Sequence, residues 1–150
     1  MGRRREGREA AVQFLFAHEL HAEHSDEEKE SFWSLHMAKK GAREYALELI
    51  KGVLTHLPEI DARIESTAEN YRIERLANVD RNVLRLAVYE LLFVPDAPPP
   101  VVINEAIEIA KKYGATESGG FVNGLLDRIA NGPKRSPAPQ IPASEPTIVP

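Results

Sequence analysis

Up to about residue 132 the apolar residues of this chain recur with a period close to 3.6, and no segment alternates convincingly with period two. The richest run is Asn78 to Phe93. On a helical wheel Val79, Val83, Leu84, Leu86, Ala87, Val88, Leu91 and Phe93 occupy most of the circumference, leaving a narrow polar stripe of Arg81, Asn82, Arg85 and Tyr89. A helix apolar on nearly all sides belongs in the middle of a fold. Asn78 is a candidate N-cap, and Asp80 in the first turn suits the positive end of the helix dipole. Glu90 projects from the apolar arc. It is expected to be buried and hydrogen-bonded, because an unpaired carboxylate there would be strongly destabilising.

The remaining elements follow the same rule. A first helix spans about Arg4 to Ala22, with Ala10, Ala11, Phe14, Leu15 and Ala17 on one arc and Val12, Phe16 and Leu20 on another, so Phe16 points away from Phe14. Phe32, Trp33, Leu35 and Met37 suggest a short second helix ending near Gly41. Ala42 to Leu57 carries the stripe Tyr45, Leu49, Ile50, Val53, Leu54, Leu57 and is followed by Pro58; a fourth helix then has the narrower stripe Ile60, Ile64, Ala68, Tyr71. After the central helix, four prolines in the seven residues Val94 to Pro100 force a break. Val102, Ile103, Ala106, Ile107, Ile109, Ala110 and Tyr113 define the next helix, with Gly114 suited to its C-terminal cap. Ser118 can cap a last helix bearing Phe121, Val122, Leu125, Leu126 and Ile129, closed by Gly132. The expectation is an all-α fold, a compact bundle of about seven helices over residues 1–132. Residues 133–150, six of them proline and without apolar period, are expected to form a disordered tail.

Composition narrows the partners. A chain of 150 residues, 43% hydrophobic and 28% charged, fits one soluble domain. The absence of cysteine excludes disulfides and thiolate metal sites, and no apolar run approaches the ~20 residues that span a bilayer; the expected location is cytoplasmic. A net charge of −4 argues against non-specific coating of nucleic acid, so any such site must be a local patch. One exists: Arg3, Arg4, Arg5 and Arg8 lie within the first eight residues. Arg4 and Arg8 are one helical turn apart, so the group could hold phosphates bidentately or serve as a solubilising arm. Phe16, off the main stripe of its helix, and Phe121, at the start of the last helix and the edge of its stripe, are the candidates for stacking on bases, against the plain alternative of core packing.

Other chemistry is weaker. His18, His21 and His24 recur every three residues, but a closed zinc site needs about four ligands and a solvated helix end explains them. Gly114 to Gly120 lacks the Gly-Lys-Ser/Thr ending of a phosphate loop and follows a helix, so it reads as a helix-to-helix turn. With no nucleophile elbow and no thiol, no catalytic residue, cofactor or metal site is expected.

The segments Arg3 to Phe16, Val79-Asp80-Arg81-Asn82-Val83-Leu84-Arg85-Leu86-Ala87-Val88-Tyr89-Glu90-Leu91, Val101 to Lys111 and Phe121-Val122-Asn123-Gly124-Leu125-Leu126-Asp127 resemble the NusB family of transcription antitermination proteins, over about residues 3–130. The resemblance implies two packed three-helix bundles. It also implies a bacterial RNA-binding factor that, with ribosomal protein S10 (NusE), binds single-stranded boxA-type RNA and acts with the RNA polymerase antitermination complex on ribosomal RNA operons. By position it implies RNA contacts at Arg3, Arg4, Arg5, Arg8, Phe16 and Phe121, and an S10-facing region around Glu74, Asp80 and Arg81. Phe16 stands where relatives often have tyrosine, which removes one hydroxyl contact. The same domain resembles the N-terminal module of certain ribosomal RNA methyltransferases, although no cofactor-binding domain follows it. The alternative to antitermination is a non-enzymatic helical adaptor or homodimer without a direct RNA role.

Overall fold

A computed structural model describes residues 2–20, 40–68 and 71–132, and these contain six α-helices and no strand. They are α1 (Gly2–Leu20), α2 (Lys40–Thr55), α3 (Leu57–Thr67), α4 (Asn78–Phe93), α5 (Pro99–Tyr113) and α6 (Ser118–Ala130), with a 3-10 turn at Ile73–Arg75. The expected helix around Phe32 to Met37 and the tail 133–150 lie outside the described residues.

Helix α4 packs against each of the other five helices, as its nearly all-round apolar surface requires. Around it α1 pairs with α2 and α5 pairs with α6, while α3 bridges α4 and α6. Val83, Leu84 and Val88 of α4 are all but inaccessible, and meet Ile60, Ile64, Val102, Ile109, Val122, Leu125 and Leu126 in one continuous core. Two tight approaches set the spacing. A Cβ on Gly52 would run into the Tyr89 ring, and one on Gly7 would lie 2.7 Å from the Tyr45 ring, so glycine lets α2 approach α4 and α1 approach α2 this closely.

Several local expectations need correction. Gly41 does not end a helix but lies in the first turn of α2, which starts at Lys40. Ala77, not Asn78, is the N-cap of α4; Asn78 is its first residue, and its Oδ1 accepts from Asn82 Nδ2 at 2.6 Å. Gly114 caps α5 in extended rather than left-handed backbone, and glycine is required there because a Cβ would meet Ala110 O and Ser118 Oγ at 2.7 Å. Ser118 opens α6 and its hydroxyl accepts from the Ala115 amide at 3.0 Å, bracing the turn behind it. Tyr71 leaves the stripe of the fourth helix. That helix stops at Thr67, where the Ser66 and Thr67 hydroxyls both bond back to Arg63 O, and Tyr71 is 51% exposed.

Candidate nucleic-acid and partner interface

The arginine cluster divides by depth. Arg8 shares the buried face of α1 with Ala11, Val12 and Leu15, one and two turns on. Its guanidinium forks onto Glu90, Nε to Oε1 at 2.8 Å and Nη2 to Oε2 at 2.9 Å, and the two side chains are 4% and 1% exposed. Tyr45 donates its hydroxyl to Oε2 at 2.9 Å. Burial alone would lower the Arg8 pKa, but the bonds and charge of Glu90 outweigh it and leave it raised. Burial, then the Glu90 charge, pushes the Tyr45 phenol up to about 12. Glu90 is thus buried and bonded as expected. Arg8, expected with the phosphate-binding set, is instead enclosed, because it is the donor that Glu90 needs.

Arg5 also has a carboxylate, on α5: Nε and Nη2 donate to the two Glu105 oxygens at 2.9 and 2.7 Å. These bonds raise the Arg5 pKa and hold the Glu105 carboxyl below its usual range. Arg5 remains 36% exposed, however, and an arginine held side-on keeps further N–H groups for a second anion. Arg4 is exposed, its guanidinium 5.7 Å from the centre of the Tyr45 ring. The side chain of Arg3 lies outside what the structure describes.

Farther along the same seam, Lys112 donates to Glu9 at 3.0 Å and Gln13 to the Tyr113 hydroxyl at 3.1 Å. The pairings Arg5 with Glu105, Glu9 with Lys112 and Gln13 with Tyr113 advance together, so α1 and α5 run parallel. Half-buried Phe16 therefore lies one turn beyond the Gln13 contact, at the end of α5 where the chain turns into α6. Half-buried Phe121, in the first turn of α6, packs on the core with one face and meets Tyr71 edge-on at 5.8 Å between ring centres. Tyr71 is an exposed aromatic that the sequence pattern assigns to the core. The Ser66-Thr67 pair before it was the available signal that the helical period had ended.

A second cluster gathers around the start of α4. The polar stripe of that helix meets Glu19 of α1, which accepts from Arg81 at 2.8 Å, Asn82 at 3.0 Å and Arg85 at 3.1 Å. Burial would raise the Glu19 pKa, but the bonds from Arg81 and Asn82 and the arginine charges bring it below its usual value. Arg85 also forks onto Asp61 of α3 at 2.9 and 3.0 Å. Arg81 further donates to the Ile73 and Leu76 carbonyls, so it is engaged internally and only 12% exposed. Glu74 is 70% exposed. Asp80 is half-buried, with Oδ1 meeting no donor among the described residues.

Of the histidine series, His21 and His24 fall outside the described residues, and His18 packs edge-on against Phe14. Among the described residues no three His, Asp or Glu side chains are grouped to hold a metal, and no helix is long and apolar enough to cross a membrane.

Comparison with known proteins accounts for this architecture. The NusB family model matches residues 5–131. The chain belongs to the NusB family. It is 47% identical over 130 residues to the transcription antitermination protein NusB of Sorangium cellulosum, covering 87% of this chain and 93% of that protein. Against the Myxococcus xanthus protein of the same name the identity is 46% over 134 residues, covering 87% and 96%. The solved structure of T. maritima NusB superposes with a TM-score of 0.78 at 44% identity, over 87% of this chain and 92% of that one. A structure of the antitermination factors NusB and NusE in complex with double-stranded RNA contains a chain that superposes at 0.75 with 36% identity, covering 87% and 97%.

Proposed function

We propose that the protein is a transcription antitermination factor that binds boxA-type RNA together with ribosomal protein S10 (NusE) and acts with RNA polymerase on ribosomal RNA operons. The observation that carries this reading is the near full-length match, in sequence and fold, to the chain bound to NusE and RNA in the solved complex. It acts by binding rather than by catalysis, in the cytoplasm where nascent RNA is made, and its binding unit is residues 1–132.

The geometry supports an RNA path along the parallel seam of α1 and α5. Arg4 and the free edge of Arg5 stand at one end of it, supplying charge. Phe16 and the Tyr71–Phe121 pair, at and beyond the other end of α5, supply ring surface for bases. Phe16 lies eleven residues after Arg5, about 16 Å farther along by helical rise. A strand contacting both ends would span several nucleotides, which suits a short sequence element better than a single phosphate. Arg8 is left out of the contact set, since using it would strip Glu90 of its partner.

The test is a binding titration of the purified chain against a boxA-like single strand, its scrambled counterpart and a duplex of the same sequence, each with and without S10. Salt-sensitive, sequence-selective binding enhanced by S10 is expected. S10 binding without any RNA binding would favour the adaptor reading and overturn this one.

A further inference from the structure

Residues 71–77, ahead of α4, are exposed on their outside and tied down on their inside. Ile73 and Leu76 are buried, while Tyr71, Arg72, Glu74, Arg75 and Ala77 face water. Its backbone is fixed by side chains from two helices. Glu65 of α3 accepts from the Ile73 amide at 2.7 Å, and Arg81 of α4 donates one nitrogen to the Ile73 carbonyl at 3.1 Å and the Leu76 carbonyl at 2.6 Å. The Arg81 Nε is in turn held by Glu19 at 2.8 Å.

A cation in the first turn of a helix is opposed by the helix dipole, so Arg81 needs compensation at that position. The two carbonyls and Glu19 supply it. Those same bonds leave its guanidinium turned inward, with little to offer a docking protein, whereas Glu74 on the clamped turn has only a loose 3.7 Å approach from Arg72. We infer that Arg81 is a positioning residue for partner docking: by bridging Ile73 O and Leu76 O it fixes the turn that presents Glu74 to a basic surface of S10. This rests on the S10 reading above and gives Arg81 a different part in it from direct contact. A turn held in one conformation before the encounter avoids an ordering cost on binding.

The experiment uses the full chain and purified S10. Backbone hydrogen exchange is followed residue by residue in the free protein, and S10 affinity is measured by calorimetry for wild type, Arg81→Ala, Glu74→Ala and the double variant. Arg81→Ala should speed exchange in residues 71–77 well beyond any change elsewhere in α4 and α6. It should weaken S10 by about tenfold, the equivalent of one charge-assisted hydrogen bond. In the Glu74→Ala background the same change should have little further effect on affinity, since Arg81 acts through that side chain. Should Arg81→Ala fail to fold, Arg81→Lys keeps the charge but cannot span both carbonyls and Glu19, and should show the same pattern more weakly. Weakened S10 binding with unchanged exchange in 71–77 would make Arg81 a direct contact and overturn the inference. Unchanged S10 affinity would overturn it while leaving the S10 reading standing, whereas a wild-type chain that ignores S10 would sink both.

Discussion

Replacing Arg8 with methionine removes the guanidinium but keeps most of the apolar stem, and so isolates what Glu90 gains from its partner. In the intact protein both carboxylate oxygens are engaged, by two arginine nitrogens and the Tyr45 hydroxyl. The cavity beside the pair is only about 10 Å³, lined otherwise by Val12, Val83, Leu86, Ala87, Val102, Ala106 and Ile109. That is about one water molecule's worth of room in apolar surroundings, too little to rehydrate a carboxylate. Breaking one side of a buried pair costs about 3–5 kcal/mol. For a domain of this size that corresponds to a loss of roughly 10–20 °C in Tm. Replacing both members, Arg8→Met with Glu90→Leu, should recover much of this, because apolar residues of similar volume often replace a buried ion pair at little cost.

The assay is a double-mutant cycle by urea denaturation, with the coupling energy as its readout. Two single variants each costing less than about 1 kcal/mol, with additive effects, would refute the reasoning and mean that Glu90 is hydrated or otherwise compensated. The folded double variant carries a second test. If Arg8 touches no phosphate, its RNA affinity should depend on salt with the same slope as wild type.

Four other outcomes follow from the geometry. Arg4→Ala should flatten the plot of log affinity against log salt by about 0.7 for single-stranded RNA, one phosphate's worth, and an unchanged slope would place Arg4 outside the interface. Tyr71→Ala should weaken RNA binding by about 1–3 kcal/mol with an unchanged salt slope and little change in Tm, because Tyr71 is exposed; Phe121→Ala should lose both binding and stability, and normal RNA binding by both folded variants would exclude the aromatic pair. In pH, Tyr45 is raised from 10.0 to about 12, so its stabilising contribution is whole below pH 10 and lost between about 10 and 12, a slope that Tyr45→Phe should abolish; Glu19 and Glu105 are lowered from 4.5, so theirs is whole above that value and lost as the pH falls below it. Removing residues 133–150, proposed to lie outside the binding unit, should move Tm by less than about 2 °C and leave RNA affinity unchanged; a larger loss would show the tail to be part of the fold.

The helices and the central place of α4 were legible because a 3.6-residue period reports which face of an element is buried. It does not report what lies opposite. The polar stripe of α4 could be read as a stripe, but its partners Glu19 and Asp61 lie more than sixty and about twenty residues away along the chain, and only packing brings them together. Tyr71 departs from the pattern for a related reason: the spacing Ile60, Ile64, Ala68, Tyr71 continues arithmetically past Thr67, where two hydroxyls compete for the Arg63 carbonyl and the helix ends.

Arg8 is the most instructive case, because the information was present but divided between two segments. Glu90 on an apolar arc demanded a donor, and Arg8 stands three, four and seven residues before Ala11, Val12 and Leu15, the spacing of a buried face. Read as one of four clustered arginines it looked like a phosphate ligand; read by its helical face it is the counter-ion Glu90 lacked. The difference changes the charge available to RNA. Arg8 and Arg5 are paired with Glu90 and Glu105, and Glu6 lies in the same stretch, so little net positive charge is left in the cluster. So small a surplus gives weak, easily screened attraction. On the proposed RNA path, selectivity is therefore expected to come mainly from ring surface at Phe16, Tyr71 and Phe121 and from surface added by S10, which is why the RNA titration needs both proteins.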